Sequence, residues 1–344
     1  MAVAGLGENR GSRKPSLGNN RTSVQTPVSA KKYPFIAVDR ARKLEECTSL
    51  HIAVIAAGIV GKATGIGLAT KGHDVVFYDL DEAKMAQLRL EGYQTASSIP
   101  EAVEKSSITM ICVPTPTVDG SINLRPLLSV CAEVGDSLRK RNSYHLVTVR
   151  STIPPGTTRG HVIPQIELSA ETRIGTKIGV CHNPEFLREK FALDDFLHPG
   201  AVVIGEAGKA AGNRLESLYA SFGSPITRCS IETSEMVKYA SNLFNAAKIS
   251  FFNEIDRACK TVGVKSAEVS RLMPRLALGL RDDMREWGIY GGRPFEGMCL
   301  PKDLDAFISF MRTKGVDLPM LSAVKQVNER IAKEQKAPLV LVNA

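Results

Sequence analysis

The residues best suited to chemistry are a cysteine and what surrounds it, Gly291-Gly292-Arg293-Pro294-Phe295-Glu296-Gly297-Met298-Cys299-Leu300-Pro301-Lys302-Asp303. Glycines let a backbone approach a ligand. A thiol beside a lysine, at the start of a helical pattern (Leu304, Phe307, Ile308), is expected to have a lowered pKa. Taken alone, a free cysteine is more often a small buried hydrophobe. The choice depends on whether the chain also supplies a base, a cofactor and a pocket. Two stretches offer partners. The loop His182-Asn183-Pro184-Glu185-Phe186-Leu187-Arg188-Glu189 carries two carboxylates four apart, charges that are usually solvated. The helical pattern over residues 233–262 puts Lys238 and Asn242 on one face, where the ordinary reading is an exposed polar stripe.

A cofactor-binding unit opens at His51. The apolar run His51-Ile52-Ala53-Val54-Ile55 reads as a buried parallel strand. It is followed by Ala56-Ala57-Gly58-Ile59-Val60-Gly61, a helical pattern to Lys71, and Asp74-Val75-Val76-Phe77-Tyr78-Asp79. In a dinucleotide-binding strand–turn–helix–strand unit, turn amides and the helix N-terminus hold a pyrophosphate, and the terminal acid holds ribose hydroxyls. Asp79 favours NAD over NADP, because a carboxylate repels a 2′-phosphate. The fingerprint departs from G-x-G-x-x-G at Ala56, so by itself it is weak.

More strands are expected at 108–113, 145–149, 178–181 and 201–204. The rigid turn Pro114-Thr115-Pro116-Thr117 and the stretch from Arg150-Ser151-Thr152 to Thr158 follow two of them. Ligands gather at such strand ends, although Ser and Thr there also serve as ordinary caps. The 233–262 pattern, with Thr233 or Ser234 as its cap, spans roughly 45 Å at 1.5 Å per residue. That length suits a bridge between domains and a subunit contact.

The totals exclude some classes. Of a formal charge of +8, residues 1–50 hold +5, so the remaining chain is nearly balanced and lacks a nucleic-acid footprint. Residues 1–48 read as a disordered basic leader in preference to a transit peptide. No apolar run suits a bilayer. The seven cysteines lack CxxC pairs and the six histidines lack metal-site spacing, which points to reduced thiols and no metal.

From about residue 51 to 330 these stretches, with Ser234-Glu235-Met236-Val237-Lys238-Tyr239-Ala240-Ser241-Asn242 and Gly297-Met298-Cys299-Leu300-Pro301-Lys302-Asp303, together and in this order resemble the UDP-glucose/GDP-mannose dehydrogenase family. The resemblance implies an α/β fold. A Rossmann-type NAD-binding domain (49–230) leads into a long central helix and an α-helical dimerisation domain (231–330). It implies a cytoplasmic NAD-dependent enzyme that oxidises a primary alcohol, the C6 hydroxyl of a nucleotide sugar such as UDP-glucose, to a carboxylate through a Cys299 thiohemiacetal and thioester. Glu185 would be the acid/base group, Lys238 and Asn242 would polarise intermediates, Asp303 would orient Lys238 or water, and Thr152 would hold water or substrate. NAD would be bound by Ala56, Gly58, Ile59, Val60, Gly61, Asp79, Lys84, Pro114, Thr115, Thr117 and Ser151, with Glu189 on the cofactor side. Phe186, Leu187, Arg188, Phe295 and Gly297 would face substrate, and Arg285 matches an arginine reaching into the neighbouring subunit's site. The partners implied are a small-molecule substrate and a second copy joined through residues 233–262, without nucleic acid, membrane or metal.

Three positions depart from the family's pattern: Ala56, Lys190 after Glu189, and Glu296, where the cysteine loop normally has glycine. The family's third, nucleotide-binding domain has no counterpart before Ala344, and residues 331–344 read as a short tail. The alternatives are therefore a dehydrogenase of a smaller sugar or nucleoside, or a non-catalytic dimeric scaffold.

Overall fold

In the computed structural model, residues 49–118, 120–276 and 291–336 are described. The leader at 1–48 and Arg285 lie outside them. The chain opens with β1 (His51–Ile55), α1 (Ile59–Thr70), β2 (Asp74–Tyr78), α2 (Glu82–Leu90), β3 (Gln94–Thr95) and α3 (Ile99–Glu104). It continues with β4 (Ile108–Ile111), a small hairpin of β5 (Thr117–Val118) and β6 (Ser121–Ile122), α4 (Arg125–Leu138) and β7 (His145–Val149). Next come α5 (Ile163–Ala170), β8 (Ile178–His182), α6 (Ala192–Leu197), β9 (Val202–Glu206), α7 (Lys209–Tyr219) and β10 (Ile226–Cys229). The last part is helical: α8 (Ile231–Thr261), α9 (Ser266–Leu276), α10 (Leu300–Thr313) and α11 (Pro319–Lys336). α11 thus runs past Arg330, into the segment read from sequence as a tail.

The sheet has the order β10-β9-β8-β7-β4-β1-β2-β3. Its pairs are parallel except β8 with β9. The strands are buried on both faces because helices cover each side, so they read as continuous apolar runs in place of alternating ones. The strand order reverses at β1: β2 lies on one side and β4 on the other. A cofactor crevice forms outside the carboxyl ends of strands at such a switch point.

The turn after β1 shows what its sequence costs. Ala56 takes φ +75°, in the left-handed region that glycine favours. Gly61 permits this geometry, since a Cβ there would lie 1.8 Å from the Ala56 carbonyl oxygen. The turn is then fixed from β2. The Ala56 N–H donates to Tyr78 O at 2.8 Å, and the Ala57 N–H donates to Asp79 Oδ2 at 2.7 Å.

α8 is capped by Ser230, whose hydroxyl accepts from the Thr233 N–H at 3.2 Å, and not by Thr233 or Ser234. Ser234 is instead fully buried, and packs where β9 has Gly205. α8 rests on β8 and β9 at its start and on α10 and α11 further along. No described helix is long and apolar enough to cross a membrane.

Relieving the left-handed alanine should be measurable. Ala56→Gly is expected to raise unfolding free energy by roughly 0.5–1 kcal/mol, the left-handed penalty less the extra freedom glycine gives the unfolded chain. Urea denaturation would check this, and equal or lower stability in the variant would contradict it.

Candidate active site

The site is assembled where β8 ends, α8 begins its third turn and α10 starts. Glu185, three residues past β8, and Lys238 on α8 form an ion pair at 2.7 Å, with side chains 7% and 4% exposed. Lys238 is therefore not part of an exposed stripe. Its Nζ also donates to Asn242 Oδ1 at 3.5 Å, and the Phe186 ring lies 5.6 Å beneath it. Asn242 Nδ2 donates to Asp303 Oδ2 at 2.6 Å, while Lys302 pairs with the other carboxylate oxygen. Asp303 steadies Asn242 and not Lys238 itself. The chain Glu185–Lys238–Asn242–Asp303 joins three segments far apart in sequence.

Burial alone would raise the Glu185 carboxyl. The Lys238 charge and hydrogen bond, the Leu187 N–H at 2.7 Å and the nearby Arg150 outweigh it and hold the group below its usual range. Glu185 is thus a carboxylate.

Cys299 caps α10, and its carbonyl accepts the Asp303 N–H at 2.8 Å. Solvent reaches its side chain. Its thiol is nevertheless held above its ordinary pKa, first by partial removal from water and then by the Glu185 charge; Lys238 opposes this and Asp303 adds to it. The lowered pKa expected from sequence is overturned. The physical reason is that partial burial disfavours the thiolate, and the charges of Glu185 and Asp303 oppose it against those of Lys238 and Lys302.

The cofactor side is equally ordered. Asp79 ends β2, accepts the Asp81 N–H at 2.9 Å and lies 3.6 Å from Lys84. Gly58 caps α1, leaving the amides of Ile59 and Val60 at the helix's open end. These donors and the Asp79 carboxylate suit a pyrophosphate and a ribose. Thr115 donates to Thr152 O at 2.7 Å, Ser151 to Val113 O at 2.6 Å, and Thr117 to Lys302 O at 3.2 Å. The loops carrying Pro114 and Ser151 are thereby bound to each other and to the start of α10. Glu189 reaches the cysteine loop, with Oε2 3.6 Å from where a Cβ on Gly297 would lie.

Other candidates have structural places. Phe295 is 5% exposed and packs with Leu304 and Phe307, so the helical core holds its ring. Arg188 pairs with Asp195 at 2.6 Å and lies over Phe191, and Leu187 packs on the sheet's core.

Several supporting residues were not singled out from sequence. Arg150 and Tyr219 both donate to Asn183 Oδ1, fixing the root of the Glu185 loop. His182 Nδ1 meets Ser234 Oγ at 2.8 Å. Burial pushes the imidazole down to about 3, so it stays neutral. Glu235, fully buried, accepts the N–H groups of Gly156 at 2.6 Å and Thr158 at 2.8 Å, tying the Ser151 loop to α8. The available signal was spacing, since Glu235 precedes Lys238 by three residues and shares its face.

Residues 90–223 match the model of the UDP-glucose/GDP-mannose dehydrogenase family's NAD-binding domain, and residues 232–330 match that of its central domain. A GDP-mannose 6-dehydrogenase of Azotobacter vinelandii is 34% identical over 309 residues, covering 84% of this chain and 70% of that protein. The chain belongs to this family. Its cofactor is accordingly NAD. A UDP-glucose 6-dehydrogenase of Haloferax volcanii is 33% identical, over 81% of this chain and 70% of that one. The solved UDP-glucose dehydrogenase of Pyrobaculum islandicum superposes with a TM-score of 0.74 at 35% identity, covering 84% of this chain and 70% of that one. In this UDP-glucose/GDP-mannose dehydrogenase family member, as the sequence reading expected, the sheet is mostly parallel and leads into a helical part.

The electrostatics can be read out at sulfur. Iodoacetamide labelling of Cys299 should rise with pH along a curve centred above that of a free thiol. Glu185→Gln, which removes one cause of the raised pKa, should move the curve to lower pH. A curve at or below the free-thiol position, or an unmoved curve in the variant, would contradict the arrangement.

Proposed function

We propose that this chain catalyses the four-electron oxidation of a primary alcohol on a nucleotide sugar to a carboxylate, with Cys299 as covalent nucleophile. The observation that carries the reading is the buried Glu185–Lys238–Asn242–Asp303 chain within electrostatic range of an accessible cysteine. A two-electron alcohol dehydrogenase has no use for that thiol.

NAD+, when bound, accepts a hydride at each of two oxidations. Asp79, the Ala56–Gly61 turn, Thr115, Ser151 and Thr152 would hold it. As the alcohol proton passes to the Glu185 carboxylate and on to solvent, Lys238 and Asn242 stabilise the developing alkoxide. The Cys299 thiol then adds to the aldehyde. A sulfur–carbon bond forms, the carbonyl π bond becomes a hydroxyl, and the thiol proton is passed through the Glu185–Lys238 pair. The adduct is a better hydride donor than the aldehyde. Its oxidation leaves a thioester, which water cleaves to free the acid and restore the thiol. Because Glu185 is a carboxylate, it serves as base for that water.

The substrate class is supported by the relatives, which are named for GDP-mannose and for UDP-glucose. A homodimer is supported by α8, whose Val237, Phe244 and Phe251 remain exposed at seven-residue spacing. A reducing compartment such as the cytoplasm suits the six described cysteines, all unpaired. The chain is read as an NAD-binding domain at 49–230 and a helical one at 231–330.

Assays with UDP-glucose and GDP-mannose should give two NADH per acid released. Cys299→Ser should lower acid formation on the order of a thousandfold or more while still binding NAD+. One NADH per product, or full turnover in the variant, would sink the covalent route.

A further inference from the structure

Among the described residues, the segment that leads to Cys299 has no strand beside it, yet its backbone is bonded as a strand's would be. Asn253, fully buried on α8, accepts the N–H groups of Gly292 at 2.8 Å and Arg293 at 3.2 Å on its Oδ1, and its Nδ2 donates to the Arg293 carbonyl at 2.9 Å. Asn328, on α11, accepts the Phe295 N–H at 2.7 Å and donates to the Phe295 carbonyl at 3.0 Å. Residues 293 and 295, two apart, thus each have both main-chain groups met by one carboxamide. The carboxamide is the side chain that offers an acceptor and a donor together at that size.

The surroundings leave the segment little freedom. Gly291 lies against α8 so closely that a Cβ would come 2.2 Å from the Phe252 carbonyl oxygen. The Phe295 ring is held in the cluster of Tyr239, Leu243, Leu304 and Phe307. From Phe295 the chain passes Glu296, Gly297 and Met298 and reaches Cys299, where α10 begins.

We propose that Asn253 and Asn328 are positioning residues for the nucleophile: their amides hold the loop so that Cys299 faces the Glu185–Lys238–Asn242 cluster. Neither touches the reacting atoms. The inference rests on the reading of Cys299 as nucleophile. It adds that the sulfur's placement depends on α8 and α11 docking on the same loop.

The test compares Asn253→Asp and Asn328→Asp with the unaltered protein. Aspartate keeps the acceptor and the size but cannot donate to the carbonyl. In each variant kcat should fall on the order of tenfold to a hundredfold, the cost of a small misplacement at a reacting centre, with KM for NAD+ unchanged. Iodoacetamide labelling resolved by mass spectrometry gives a second readout that needs no substrate. Cys299 should label several-fold faster as it leaves the two carboxylates, while the fully buried Cys131 and Cys181 stay protected. Unaltered kcat and unaltered Cys299 labelling in both variants would overturn the proposal. So would labelling of Cys131 and Cys181 in step with Cys299, which marks general loss of fold. If the unaltered protein makes no acid from either nucleotide sugar, the functional reading fails, and the labelling comparison still decides the positioning role.

Discussion

A lysine ammonium buried in a protein is costly unless it is compensated, and at Lys238 a carboxylate meets it. That requirement organises this site. With Lys238 and Glu185 almost fully shielded from solvent, removing either partner would leave an uncompensated buried charge, a cost of about 3–5 kcal/mol. The pair comes from the loop after β8 and from α8, so it forms only when α8 lies across the end of the sheet. The neighbouring contacts serve that docking. Ser234 meets His182 at the end of β8, and the Asn183 side chain is held by Arg150 and Tyr219. The cysteine feels the outcome: partial burial raises its thiol pKa first, and the Glu185 charge adds to that against Lys238.

α8 acts as a ruler along the whole site. Its inward stripe carries Glu235, Lys238, Asn242, Ala246 and Asn253, all buried. Over the eighteen steps from Glu235 to Asn253 the helix rises roughly 27 Å. At one end Glu235 latches the loop of Ser151 and Thr152; in the middle Lys238 and Asn242 face Glu185 and Asp303; at the other end Asn253 holds the cysteine loop. A rigid helix fixes these distances more firmly than loops could. The same helix turns Phe244 and Phe251 outward, so its exposed apolar face is opposed to the face that builds the site.

Two local features stand out in the structure. Ala56 accepts a left-handed backbone because β2 and Asp79 hold the turn from outside, and Gly61 leaves room for the displaced carbonyl. Near Cys299, Glu189 approaches Gly297 and Glu296 is exposed, so acidic groups border the cysteine loop. At Cys299 itself, burial and then the charges of Glu185 and Asp303 raise the thiol pKa against Lys238 and Lys302.

Much of the architecture was legible because it is written in local pattern. Short apolar runs bounded by turn residues give a buried parallel sheet, a long amphipathic period gives α8, and an acid at the end of β2 marks a ribose site. The spacing of Lys238 and Asn242 already placed them on one face. Sequence did not determine which way that face points, and burial turned an ordinary polar stripe into the centre of the site. Nor did it determine the sign of the cysteine's shift. Residues 185, 238 and 303 meet only in space, and the field at sulfur is the sum of charges whose distances no local pattern contains. The same reason hid Glu235, Asn253 and Asn328, whose partners are backbone groups of distant loops and become visible only once the chain has closed on itself.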